Sequence, residues 1–175
     1  RAIPGPLCVG RAESTALTLF YYQPNVAERA GRQKSNMKYH FVYGQPDVGK
    51  TTTILTLFKA LLAMGGKTLE YRHIFDDDFQ AIVSYLRKNV AIYSLGDECK
   101  HLRSAIEFTK SCSCEILVAA VRKGTHYNTV LDSFGIEGEE VKWHEYNDLD
   151  GAPASHSRQN EQAIEILKEI TFECR

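Results

Sequence analysis

The residues of this chain best suited to chemistry form one run, Gly44-Gln45-Pro46-Asp47-Val48-Gly49-Lys50-Thr51. Two glycines bracket four residues, and the second is followed at once by a lysine and a threonine. Gly44 and Gly49 let the backbone turn successive N–H groups inward, which makes a concave donor surface for an anion. Lys50 adds a positive charge, and Thr51 a hydroxyl suited to Mg²⁺ beside a phosphate. Gln45, Pro46, Asp47 and Val48 complete the loop and Thr52 follows it, so all are expected at the ligand. Such a loop must join a strand to a helix whose positive end faces the anion. Lys38 to Tyr43, rich in β-formers, precedes it, and residues with helical spacing run from Thr52 to Met64.

Through Gly44–Thr51, and through alternating strand and helix patterns from Lys38 to Ile170, the chain resembles the P-loop containing nucleoside triphosphate hydrolase superfamily. Thr51-Thr52-Thr53 is similar to the GKTTT start of several ATP- and GTP-binding branches, and no second motif selects a branch. The resemblance implies a nucleoside triphosphate with Mg²⁺ at the carboxyl ends of the strands. It also implies that Lys50 reaches the β- and γ-phosphates during catalysis.

That placement singles out the residues after other strands. Ser94-Leu95-Gly96-Asp97-Glu98 is similar to a Walker B element, in which Asp97 would join Thr51 in holding Mg²⁺ and Glu98 would orient an attacking water. Gly96 departs from the unbroken apolar run expected there, and an Asp at that position also serves as a helix cap. Asp76-Asp77-Asp78 follows another strand. One of its carboxylates could bind magnesium or act as a base, or all three could cap a helix. Arg122 and Lys123 end a later strand, where Arg122 is expected to meet the nucleotide, unless the two are a solvated surface pair. No N-K-x-D guanine reader is present, which favours ATP over GTP.

The expected fold is α/β, a three-layer sandwich with a mainly parallel five-stranded sheet. Strands are predicted over 38–43, 67–75, 90–95, 115–121 and 141–146. Helices are predicted over 50–64, from Asp76 to about Lys88, and over 98–110, 127–134 and 159–172. Residues 147–158 read as a loop. Residues 1–36 hold three of the five prolines and an excess of positive charge, and read as a poorly ordered extension of a nucleotide-binding domain over 37–175.

A chain of 175 residues, 43% hydrophobic, suffices for one core, and its net charge of −1 does not indicate nucleic acid. No apolar run is long enough for a membrane span. Five irregularly spaced cysteines, with no secretory leader ahead of them, fit a reduced, cytoplasmic protein. Cys112-Ser113-Cys114 lacks the second pair that a metal site would want, and the six histidines show no metal-ligand spacing, so Mg²⁺ is the only metal expected. Three classes of function remain. They are an ATPase that drives a protein partner, a small-molecule or nucleotide kinase, and a nucleotide-gated binding module with little turnover.

Overall fold

The computed structural model describes residues 37–124, 126–146 and 155–175. The expected extension over 1–36 and most of the 147–158 loop lie outside the described residues. In chain order the elements are β1 (Lys38–Gly44), α1 (Lys50–Ala63), β2 (Lys67–Phe75), β3 (Asp78–Tyr85) and β4 (Lys88–Tyr93). There follow α2 (Cys99–Ser111), β5 (Ile116–Arg122), α3 (Tyr127–Phe134), a 3₁₀ turn, β6 (Val141–Glu145) and α4 (His156–Glu173).

The six strands form one sheet in the order β2-β3-β4-β5-β1-β6. β1 pairs in parallel with β5 on one side, Gly44 opposite Arg122, and with β6 on the other. β4 is parallel to β5, whereas β3 is antiparallel to β4 and β2 antiparallel to β3. The expected five-stranded, mainly parallel sheet is therefore corrected to a six-stranded mixed one.

Alternation along β1 divides the core. Tyr39 and Phe41 face the layer that includes Leu102, Ala105 and Ile106 of α2 and Val130 and Leu131 of α3. Val42 faces the layer of Ile54, Leu57 and Leu61 from α1 with Ala163, Ile166 and Ile170 from α4. Each fully buried Leu or Ile contributes about 1.5–3 kcal/mol, enough for helices with apolar stripes to cover both faces.

The extra strand occupies the segment expected as a helix from Asp76 to Lys88. Phe79, Ala81, Val83 and Tyr85 all join the core under α1 and α4, while Ile82 joins the opposite one. This is the period of a strand buried on both faces. The β3–β4 turn places Leu86 at φ 47° and Arg87 at φ 69°. Two left-handed residues match the twist of a tight hairpin. Neither is Gly, Asn or Asp, so the turn carries none of its usual sequence marks, and the strain of about 1–2 kcal/mol per residue is borne by the ladder on either side.

Beneath α4 the core turns polar. His40 of β1 and His144 of β6 stack with ring centroids 5.4 Å apart, and Glu169 and Glu173 of α4 meet them from above. Burial would raise the Glu173 carboxyl, but hydrogen bonds and charge from His40 and Lys142 outweigh it and hold the group at about 2. Burial, reinforced by His40, lowers His144 to about 4 against the opposing pull of Glu169.

Candidate functional site

The loop from Gly44 to Thr51 connects the carboxyl end of β1 to the first turn of α1. A Cβ on Gly44 would lie 2.9 Å from Val48 Cγ2 and 3.1 Å from Tyr146 Cβ, so packing excludes a side chain there. Gly49 is constrained twice: its φ is 96°, and a Cβ would fall 2.2 Å from Gln159 Nε2. Asp47 also takes a left-handed φ of 60°. Val48 is buried in the core and anchors the loop from within, leaving Gln45 and Asp47 exposed and Pro46 half-buried.

Helix α1 begins at Lys50 with no side-chain cap and no acid in its first turn. By contrast, Glu98 caps α2 and the Ser155 hydroxyl caps α4. The positive end of α1 thus opens onto the loop, and its N-cap residue, Gly49, brings no side chain to the first backbone donors. The buried Lys50 ammonium donates to the loop carbonyls of Gly44, at 3.3 Å, and Gln45, at 2.5 Å. Thr52 is exposed in the same helical turn.

Thr51 meets Asp78. The Thr51 hydroxyl donates to Asp78 Oδ1 at 3.1 Å, and the Ser94 hydroxyl donates to the same oxygen at 2.7 Å. Ser94, itself buried, accepts the Phe79 backbone N–H at 2.8 Å. This chain of bonds ties the first residue of β3 to the end of β4 and aims one carboxylate at the start of α1. The Tyr93 phenol is raised by burial and by the Asp78 charge, with Arg72 opposing. Of the acidic triplet, the structure therefore brings Asp78 to the loop, because the β2–β3 hairpin turns at Asp76-Asp77 and β3 begins at Asp78.

Asp97 and Glu98 stand exposed on the rim after β4, and β5 lies between β4 and β1. Glu98 is engaged elsewhere. Its carboxylate forms a capping box with His101 and an ion pair with Lys100 at 2.8 Å; the Lys100 contact, aided by the His101 charge, lowers its pKa below the ordinary carboxylate value. Gly96 has a packing reason: a Cβ there would sit 2.2 Å from the Ala120 carbonyl oxygen, and the Gly96 carbonyl accepts the Arg122 N–H at 3.0 Å. Arg122 is exposed beside Gly44, and Lys123 pairs with Glu145 at 3.5 Å.

Three further residues close the site without any mark in the sequence. Tyr146 follows β6, packs on Gly44 and shares a hydrogen bond with Thr53 of α1. Arg158 lies over its ring at 5.6 Å. Gln159, buried beside Arg158 on the first turn of α4, presses against Gly49. A groove of about 450 Å³ lined by Met64, Ile164, Leu167 and Phe172 lies at the opposite end of α1 and takes no part in this arrangement.

Fold and site together define an α/β protein with a glycine loop at the carboxyl end of an inner strand, β1, and a fixed carboxylate beside it. Comparison with protein-family models, curated proteins and solved structures yields no match. No helix among the described residues is long and apolar enough to cross a membrane.

Proposed function

We propose that this chain is a P-loop nucleotide-binding protein that takes ATP with Mg²⁺ at Gly44–Thr51 and hydrolyses it. The observation that carries the reading is the Thr51–Asp78 hydrogen bond at the mouth of an uncapped helix. A hydroxyl and a carboxylate held together in this way form the oxygen pair that Mg²⁺ favours. Mg²⁺, when bound, neutralises phosphate charge and helps to orient the triphosphate.

The chain's own residues supply the rest. The loop N–H groups and the start of α1 bind phosphate oxygens. Lys50 exchanges its loop carbonyls for the β- and γ-phosphates. Ser94 positions Asp78, and Arg122 and Arg158 offset charge at the rim. Asp97 is the rim carboxylate able to orient a water or hold the ion through one, because Glu98 already caps α2. ATP is favoured over GTP by the missing guanine reader.

The test is calorimetric titration with ATP and GTP in Mg²⁺, followed by phosphate release from the same sample. ATP binding with release is expected. Binding without release would instead favour a kinase or a gated module, and no binding would refute the nucleotide site itself.

A further inference from the structure

Away from the glycine loop, three ligand-type atoms converge beneath α4: His40 Nδ1, His144 Nε2 and Glu169 Oε2. Their separations are 3.1 Å between the two nitrogens, 3.5 Å from His40 Nδ1 to Glu169 Oε2, and 3.8 Å from His144 Nε2 to Glu169 Oε2. Ligands on a tetrahedral zinc ion with bonds near 2.0–2.1 Å lie about 3.3–3.4 Å apart, so these distances straddle the edge of that tetrahedron. Glu169 Oε2 is a buried atom that forms no well-aligned hydrogen bond and is held by an ion pair with the Lys142 ammonium at 3.3 Å. A buried carboxylate oxygen so held keeps lone-pair capacity for a further partner.

The surroundings match what a metal-bound imidazole needs. The other nitrogen of His40, Nε2, lies 2.9 Å from Glu173 Oε2. A carboxylate there fixes the ring and its tautomer, leaving the Nδ1 lone pair aimed at the cluster centre. His40 is fully buried and His144 nearly so, which holds both rings in place. Among the described residues, Lys142 is the competing cation, 3.3 Å from Glu169 Oε2, but it has a second anchor in Glu173 Oε1 at 3.0 Å. With both imidazoles neutral, as ligation requires, two carboxylates and one ammonium leave a net charge of −1 facing the site.

We propose that His40, His144 and Glu169 bind one divalent transition-metal ion of the zinc class, with Glu173 as the outer partner of His40. Two imidazoles and one carboxylate suit zinc rather than Mg²⁺ or Ca²⁺, which prefer all-oxygen shells. The ion clamps α4 to β1 and β6. The same helix carries Arg158 and Gln159 at its other end, so the clamp steadies the element that packs on Gly49.

The experiment is a titration of the metal-free, tag-free 175-residue chain with Zn²⁺ against a chromophoric chelator, and with Co²⁺ followed by visible absorption. One equivalent of Zn²⁺ is expected, with a rise in thermal midpoint and a four-coordinate Co²⁺ spectrum lacking thiolate charge-transfer bands. Glu169→Gln, a near-isosteric change at a partly exposed position, should weaken Zn²⁺ by more than the about 10–100-fold typical of losing an outer partner. Glu173→Gln should fall within that range. A control with Cys112→Ser and Cys114→Ser should bind as the parent does. Absence of stoichiometric binding, a six-coordinate or thiolate spectrum, or unchanged affinity in Glu169→Gln would overturn the proposal.

Discussion

Gly44 and His40 stand four residues apart on β1, yet the two regions they belong to are built by opposite means. At Gly44 the work falls to backbone: left-handed residues, a glycine pressed by Gln159 and an uncapped helix start, all within one short run. At His40 it falls to side chains from β1, β6 and α4, separated by 104 and 133 positions in sequence from their hydrogen-bond partners. A backbone site can be written as a local motif. A side-chain site exists only once the sheet has been assembled and α4 laid across it.

The sharpest test of that contrast removes charge from the loop without touching the core. Lys50→Ala should lower ATP affinity by about 10–100-fold, the loss of a charge-assisted contact of roughly 1.5–3 kcal/mol, while circular dichroism stays unchanged. Full ATP affinity in this variant would break the site assignment. Gly49→Ala probes the backbone itself. Strain at φ 96° and the clash with Gln159 should cost about 1–3 kcal/mol, seen as a lower urea midpoint together with weaker ATP binding.

Asp78→Asn should raise the Mg²⁺ concentration needed for half-maximal phosphate release, with Mg²⁺-free ATP binding nearly intact. Ser94→Ala should act in the same direction more weakly, since it loosens Asp78 without removing its charge. An unaltered Mg²⁺ requirement in Asp78→Asn would leave Asp97 as the ion's carboxylate.

The His40 region should respond to pH instead. Two groups there have folded values below their unfolded ones, about 4 for His144 and about 2 for Glu173, while Lys142, despite partial burial, is raised by Glu173 and Glu169 and stays charged throughout the acid range. On acidification the unfolded chain therefore takes up protons first, and stability falls as pH drops from about 6.5 towards 4 for the histidine and from about 4.3 towards 2 for the glutamate. The groups facing His144 are His40, Lys142, Glu169 and Glu173. Chemical denaturation across pH should show this slope, flattened over the upper window in His144→Gln; an identical slope in that variant would exclude His144 as its source.

Much of the scaffold was legible in advance. The strand over 38–43, the helix after the glycine loop and the helix over Tyr127–Phe134 follow from period and from glycine stops. The segment over 76–88 misled because Phe79, Ile82 and Val83 also fit helical spacing, and because a turn built on Leu86 and Arg87 lacks the usual residues. Asp78 was legible only as one acid of three. Choosing it required the hairpin, which places that residue, rather than Asp76 or Asp77, against Thr51 and Ser94.

By itself the sequence determined the glycine loop, the alternation of strands and helices and the apolar faces that form two cores, since each depends on neighbours a few residues apart. Tertiary structure alone decided the mixed sheet, the partnership of Thr51 with Asp78, the closure of Tyr146, Arg158 and Gln159 over the loop, and the meeting of His40 with His144 and Glu169. These are contacts between distant segments, and their geometry comes from strand order and helix placement, which no local spacing encodes.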